Sequence, residues 1–333
     1  MEVSVGSGAS LERGYDNIPL PFGWFAVAMS DEIEVGERKT LRYFETEFVI
    51  WRGADGTLRA VDPFCPHMGA HLGVASEVVG NDLRCGFHHW TYNGDGGVAN
   101  IPYAKLVPPK LKRSCISTWP VAEADGLVFV WYHPRKAAPK WEVASLPTCP
   151  DGEWVKSDSH EWIVNIHVQE ITENGQDHAH FASVHGVPGA PKGEFKLDGW
   201  VRHNVVEATM DTPRGPMHGK IDNYAVGPGQ SFSQFIDVTH VVMYQTVSPI
   251  DRETTHVRWQ VYHLPDISDG KMRVAQARIR NIVLQIEQDI PIWNAKRYAK
   301  SPLLVEGDGP ILAYRAQYAK FYQFDDDAEP AAT

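Results

Sequence analysis

The chain has 333 residues, 43% of them apolar and 22% charged, with a formal charge of −11. A chain of this size and composition buries a full core without cross-links, and its acidic balance argues against an electrostatic grip on nucleic acid or anionic lipid. No apolar stretch reaches the length of a membrane span and Met1 to Arg13 lacks the basic-then-apolar pattern of a signal peptide, so the expectation is a cytoplasmic protein.

After a polar leader, short alternating or apolar runs predict strands over Trp24 to Ala28, Leu41 to Phe44, Phe48 to Trp51, Leu58 to Val61 and Leu127 to Tyr132. Turn signals such as Gly53-Ala54-Asp55-Gly56 and Asn93-Gly94-Asp95-Gly96-Gly97 separate them. This is an all-β unit. From His133 to about Pro150 the prolines and the lack of periodicity suit a linker, with the boundary at residue 138. Beyond it, Ile171 to Val184 predicts a helix. Strands are expected over Val201 to Met210, Lys220 to Val226, Ser231 to Val247 and His256 to His263. A long helix over Met272 to Lys300 carries Ile282, Ile286, Ile290 and Trp293 at helical spacing, so it should cover the sheet. The second unit is then α+β, a curved antiparallel sheet with helices on one face. The acidic, small-residue tail Asp325 to Thr333 is expected to be disordered.

Four cysteines do not make a disulfide framework in a chain of this size, while fifteen histidines point towards metals. Cys65-Pro66-His67 is followed after seventeen residues by Cys85-Gly86-Phe87-His88. Each arm supplies one thiolate and one imidazole. Two such loops can hold a 2Fe-2S cluster in the Rieske arrangement, Cys65 and Cys85 on one iron and His67 and His88 on the other, which raises the potential of a one-electron relay. A structural zinc site is the rival, but zinc fingers pair Cys with Cys and His with His along the chain. His71 and His89 are near enough to compete, and only spacing favours His67 and His88. Cys115 and Cys149 have no partner His at this spacing and are expected to be small buried hydrophobes.

The second motif is Glu173-Asn174-Gly175-Gln176-Asp177-His178-Ala179-His180-Phe181-Ala182-Ser183-Val184-His185-Gly186. On a helix Asp177 and His180 share a face, whereas His180 and His185 splay unless the helix bulges or ends there. Gly186-Val187-Pro188-Gly189 supplies an end signal. Two histidines with one carboxylate make the facial triad that binds mononuclear Fe(II) and leaves positions open for dioxygen. His178 sits on another face and is expected to be solvated. For the third ligand Asp289 is the candidate, because it falls in the apolar stripe with Ile286 and Trp293, where a carboxylate is expensive unless paired or metal-bound. Glu287 is its rival, and a helix cap before Pro291 is the alternative role for Asp289.

Cys65-Pro66-His67 with Cys85-Gly86-Phe87-His88-His89-Trp90, and Glu173-Asn174 with Asp177, His180 and His185, resemble the oxygenase component of the Rieske non-haem iron oxygenases over nearly the whole chain. The resemblance implies an N-terminal all-β Rieske domain (18–138), a helix-grip, START-like catalytic domain (139–324) and an acidic tail (325–333). Its cofactors would be a 2Fe-2S cluster and a mononuclear Fe(II) completed by Asp289, with O2 as cosubstrate. It further implies that Asp177 bridges the centres by hydrogen bonding to His88 of the partner subunit in a head-to-tail homotrimer. Electrons would come from a separate NAD(P)H-dependent reductase, directly or through a ferredoxin, since no Gly-rich dinucleotide fingerprint follows a strand here. Two departures stand out: His89 where the family often has Gly, and Pro291 two residues after Asp289.

Ser301-Pro302-Leu303-Leu304, Asp308-Gly309-Pro310, Tyr318 to Tyr322 and Gly227-Pro228-Gly229 resemble the 3-ketosteroid 9α-hydroxylase and cholesterol desaturase branch. That implies a monooxygenase acting on a steroid-like substrate. Met210, Met217, Phe232, Phe235, Met243, Trp259 and Tyr262 would suit a large apolar pocket, or simply form core. Rival readings are a desaturase or O-demethylase, a pure electron carrier, and a structural zinc protein with an apolar ligand pocket.

Overall fold

The computed structural model describes residues 13–186, 195–212 and 215–324, the side chains of residues 195 and 207–218 excepted. The leader before Arg13, the tail 325–333 and the helix-end signal Val187-Pro188-Gly189 therefore lie outside the described residues, as do the side chains of Met210 and Met217.

The N-terminal unit holds β1 (Gly23–Met29), β2 (Arg38–Tyr43), β3 (Thr46–Arg52), β4 (Leu58–Val61), β5 (Ser76–Val79), β6 (Asp82–Cys85), β7 (Thr91–Tyr92), β8 (Val98–Asn100), β9 (Thr118–Trp119), β10 (Val121–Ala124) and β11 (Leu127–Tyr132). They pair as three small antiparallel sheets, in the orders β1-β11-β10, β2-β3-β4-β9 and β5-β6-β7-β8. Nearly every residue of β1 and β11 is buried, because one face packs on Ile50 and Val128 while the other meets the second unit through Phe22, Trp24 and Trp131. The β5 to β8 sheet is a platform whose core of Leu83, Tyr92 and Val98 around Cys65 and Cys85 is shared with Val49 and Trp51 of β3 and Val61 of β4.

No regular element joins β11 to β12 (Val155–Val164). There follow α1 (Val168–Asn174), α2 (His178–Ser183), β13 (Phe195–Asp198), β14 (Val201–Thr212), β15 (Gly215–Val226), β16 (Gln230–Ile236), β17 (His240–Pro249), β18 (Thr255–His263), α3 (Asp269–Ala295) and α4 (Ile311–Tyr318). Among the described residues the strands form one antiparallel sheet ordered β12-β18-β17-β16-β15-β14-β13. Helix α3 lies on it, with Ala275 and Ile279 against Val241, Met243 and Val261, and Ile286 and Trp293 against Val247 and Val257. This is the α+β arrangement expected.

Several expected boundaries move. The single helix over Ile171 to Val184 is two, broken at Gly175-Gln176-Asp177, because Asp177 caps α2 by accepting the backbone N–H groups of Ala179 (3.2 Å) and His180 (3.3 Å). Ser231 to Val247 is a hairpin, turned where the Asp237 carboxylate accepts the N–H of Thr239. Pro291 sits inside α3, so Asp289 is in its last turns and is not a cap before a new helix. Phe232 and Tyr262 face the N-terminal unit as core, whereas Phe235, Met243 and Trp259 face α3. Cys115 and Cys149 are half-buried rather than buried.

Candidate metal centres and their family

The first donor set lies at the tip of the β5 to β8 platform. Cys85 closes β6, and its loop turns back through hydrogen bonds from the N–H of His89 to the Cys85 carbonyl and from the N–H of Cys85 to the Trp90 carbonyl, 2.9 Å each. The Cys65 loop closes in the same manner, Gly69 N–H on the Cys65 carbonyl at 2.9 Å. Both cysteines are buried, at 3% and 1% exposure, and the His67 and His88 rings approach to 4.7 Å between centroids. Trp90 stacks on His67 at 4.4 Å, and Tyr92 shares a hydrogen bond with the Cys65 sulfur at 3.0 Å.

His67 Nδ1 and His88 Nδ1 are buried and have no hydrogen-bond partner, a costly state for two ring nitrogens unless they bind a metal. Burial also pushes the Cys85 thiol up, against the pull of the Phe87 and His88 N–H groups, and metal ligation would relieve that cost. The residues therefore fit a cluster held by two sulfurs and two Nδ1 atoms. The competing histidines are placed elsewhere. His71 Nε2 meets Glu47 at 3.2 Å and its Nδ1 accepts the Gly73 N–H at 3.1 Å, while His89 is exposed. His89 has φ 57°, in the left-handed region that favours glycine. That explains why a glycine suits this position, and a His there leaves the ligand loops intact.

The second donor set forms where α2 ends against α3. Val184 N–H closes the last turn on the His180 carbonyl at 2.7 Å and Gly186 adopts φ 67°, so His185 leaves the helix and swings back towards His180, 5.0 Å between ring centroids. His185 Nε2 is 3.4 Å from Asp289 Oδ1 and His180 Nε2 is 3.9 Å from Asp289 Oδ2. One donor atom from each of the three lies within 4.8 Å of the others. His180 Nδ1 is 2.6 Å from the Asp177 carbonyl and His185 Nδ1 is 2.9 Å from Gln288 Oε1. Each Nδ1–H donates there, which fixes the tautomer and turns the Nε2 lone pair inward.

Asp289 is buried at 5% exposure, and burial raises its pKa even though both histidines and Asn174 pull it down. A carboxylate so placed calls for a cation. Glu287, its rival, is exposed, and His178 opens α2 with its N–H on the Asp308 carbonyl at 3.1 Å. Among the described residues no other three His, Cys, Asp or Glu donors converge this closely on one point.

Two supporting residues have no signal in spacing alone. Asn174 Nδ2 donates to Asp289 Oδ2 at 2.9 Å and lies 3.2 Å from His180 Nε2, joining α1 to α3 across the donor set. Gln288 orients His185 only because the α2 exit meets α3. Behind them Glu173, one residue before Asn174, accepts both Arg315 Nε (2.6 Å) and Nη2 (2.8 Å) from α4. Gly309 (φ 94°) comes so close that a Cβ there would lie 2.0 Å from the Gln176 carbonyl. A separate cavity of about 500 Å³, lined by Asp125, Leu146, Lys156 and Tyr262, opens at the linker and carries neither donor set.

Residues 23–113 match the model of the Rieske [2Fe-2S] domain, and residues 130–322 match that of the 3-ketosteroid 9α-hydroxylase C-terminal domain. The chain is 31% identical to a "Probable 3-ketosteroid-9-alpha-monooxygenase, oxygenase component" from Rhodococcus rhodochrous, over 92% of this chain and 81% of that protein. It is 30% identical to "Cholesterol 7-desaturase nvd" from Xenopus laevis, over 91% of this chain and 72% of that one. Among solved structures it is similar to the NdmA QL mutant of Pseudomonas putida CBB5 with theobromine (TM-score 0.68, 18% identity, 92% of this chain and 91% of that one). It is also similar to dicamba monooxygenase with non-heme iron and dicamba (TM-score 0.63, 17% identity, 91% and 97%). At such identities the solved structures establish the fold.

Proposed function

Because the chain belongs to the Rieske oxygenase family that carries the 3-ketosteroid 9α-hydroxylase C-terminal domain, we propose that it is the terminal component of a monooxygenase that hydroxylates a hydrophobic, steroid-like substrate. Its cofactors are a 2Fe-2S cluster and a mononuclear iron, which together supply stepwise reduction of O2 beside the substrate. The overall change is RH + O2 + 2e⁻ + 2H⁺ → ROH + H2O. A separate NAD(P)H-dependent reductase, directly or through a ferredoxin, would supply the electrons, and a cytoplasmic location belongs to the same reading.

In this proposal Cys65, His67, Cys85 and His88 hold the cluster, and His180, His185 and Asp289 hold the iron. The observation that carries it is the convergence of the last three on one point with both Nδ1 atoms turned away. The domains are taken as 18–138 and 139–324. Asp177 serves as the bridge to His88 of the partner subunit in a head-to-tail trimer. Its carboxylate is 42% exposed while its carbonyl holds His180, so one residue touches both the iron ligand and the surface. Exposed Phe64, Met68 and Phe87 around the cluster loops suit a protein contact on the other side of that bridge.

The test is a paramagnetic resonance spectrum of the dithionite-reduced protein with iron, zinc and sulfide analysis, then turnover of 3-ketosteroids with a reductase. The signal of a reduced 2Fe-2S cluster, together with iron in excess of sulfide, is expected; zinc without sulfide would sink the reading. Asp177→Asn keeps the cap on α2, because Asn caps as well as Asp. It should retain both metals and lose turnover more than tenfold, whereas loss of iron would make Asp177 a ligand. Desaturation is the second reading, favoured by the likeness to the cholesterol 7-desaturase, and product mass separates the two because only hydroxylation leaves oxygen on the carbon.

A further inference from the structure

The face of the large sheet that carries α3 is only partly covered. Residues directly opposite one another on paired strands share a face, so the face under α3 is read from the register outward from Met243 and Val261. One row runs Asn204, Asn223, Ser233, Met243 across β14 to β17, and the next places Ser231 beside Gln245 and Trp259. Under α3, Val241, Met243, Val257 and Val261 are fully buried; on β15 and β16 the residues of the same face are half-buried. Gln245 lies between Met243 and Val247, which belong to the two apolar clusters beneath α3, and is itself half-buried and in neither. Arg202, in the Ser231 row, lies over the Tyr314 ring at 4.9 Å, and Tyr314 is hydrogen bonded to Thr172 of α1. The Ser231 row therefore leads through Arg202 and Tyr314 of α4 to α1, which Asn174 joins to Asp289 of α3.

These side chains are unmatched. Ser231 Oγ donates to Gln245 Oε1 at 3.1 Å, which leaves the Gln245 amide N–H groups without a partner among the described residues. Asn204 Oδ1 is buried with no partner, and Asn223 and Ser233 make no side-chain hydrogen bond among the described residues. Half-buried polar groups on an otherwise apolar face that lack internal partners are satisfied by water or by a ligand that displaces it. None of the four carries charge, so the matching group is a neutral oxygen: a ketone or hydroxyl oxygen accepts from the Gln245 amide N–H, and a hydroxyl also donates to Asn204 Oδ1. Phe235 and Trp259, half-buried on the same face, supply apolar contact beside them.

Resting on the reading of a steroid-like substrate, we propose that Asn204, Asn223, Ser233 and Gln245 form a strip that binds a ketone or hydroxyl oxygen of an otherwise apolar polycyclic substrate and thereby sets which carbon faces the metal site. The strip positions substrate and takes no part in bond making.

The test measures binding of androst-4-ene-3,17-dione, cholesterol and the hydrocarbon 5α-androstane to the metal-loaded protein by quenching of tryptophan fluorescence. Wild type is compared with Asn223→Leu, Gln245→Met and the milder Ser233→Ala. One lost hydrogen bond corresponds to about tenfold in affinity. Each variant should lose about that much for the oxygenated ligands and less than twofold for the hydrocarbon. Equal losses for all three ligands, or none, would overturn the strip while leaving the steroid reading intact. Failure of the wild type to bind any of them overturns that reading and the strip with it. Should the Leu variant not fold, Ser233→Ala must give the same selective loss or the proposal falls.

Discussion

Around Cys65 and Cys85, single side chains do separable jobs. Tyr92 is fully buried and its hydroxyl is the group within hydrogen-bond distance of the Cys65 sulfur, so it can stabilise the extra negative charge of a reduced cluster. Taking that differential as about 1 kcal/mol, loss of the bond is worth about 40 mV for a one-electron couple. Tyr92→Phe should therefore lower the midpoint potential of the cluster by about 40 mV without loss of iron or sulfide, as read by a redox titration followed optically. An unchanged potential would mean that the hydroxyl does not donate to the sulfur. Most of this site is legible in the sequence because ligand spacing is a local property: two Cys-x-His arms name their own donors. His71 and His89 are not excluded by spacing. What excludes them is Glu47 on a neighbouring strand and the left-handed backbone at His89, and neither can be read along the chain.

Elements bring the iron donors together, and one buried ion pair holds the elements. Glu173 on α1 and Arg315 on α4 are 9% and 13% exposed at the side chain and bind through two hydrogen bonds. Removing one partner of such a pair leaves the other buried and uncompensated, at a cost of about 3 to 5 kcal/mol. Glu173→Gln should lower the unfolding free energy by about that amount and release the mononuclear iron at lower chelator concentrations, since Asn174 is the next residue and α2 follows. Full retention of iron with a large loss of stability would uncouple α4 from the site. The elements themselves were legible where burial is continuous, as in β11 with its six apolar or aromatic residues, and in α3 with its 3.6-residue stripe. They were not where burial is intermittent. Strands β5 to β8 have two to four residues each, too short for alternation to stand out from the surrounding chain, and β12 is an edge strand whose first five residues are all exposed. The break between α1 and α2 was hidden by a helix-like motif, and only the capping geometry of Asp177 reveals it.

At the scale of the whole molecule the two units share an apolar cluster, and buried polar groups tie them together beside it. Arg258 of β18, 5% exposed, donates to the Ala26 carbonyl (2.9 Å) and the Tyr43 hydroxyl (2.9 Å) of the N-terminal unit and pairs with Glu161 at 2.7 Å. Ser248 donates to the same Ala26 carbonyl at 2.6 Å, where β1 shifts register against β11. His256 joins this cluster through Tyr43 (2.8 Å) and Glu161, and burial, aided by the Arg258 charge, lowers its pKa to about 4 despite the opposing pull of Glu161 and Glu32. His167 is lowered to about 4 as well, by burial foremost with Arg252 adding to it, and its neutral Nδ1 accepts the Gln169 N–H that starts α1. Both histidines bind their proton more weakly folded than unfolded, so they contribute stability that is complete above about pH 6.5 and is lost as the pH falls towards 4. For His167 that loss approaches about 3 kcal/mol, and His256, less deeply buried, adds less. Glu32 and Glu123 act in the same direction only at lower pH, since their pKa values are depressed below the ordinary carboxylate range. Asp82 and Asp125, raised by burial, act oppositely as they approach protonation. Urea unfolding between pH 7 and pH 5 covers the range in which the histidines begin to titrate, and the change made by His256→Gln separates its share from that of the raised carboxylates, Asp289 among them. Stability should fall across that window, and His256→Gln should flatten part of the slope while leaving the remainder to His167. A slope that the substitution does not change would place the acid sensitivity outside the interface between the two units.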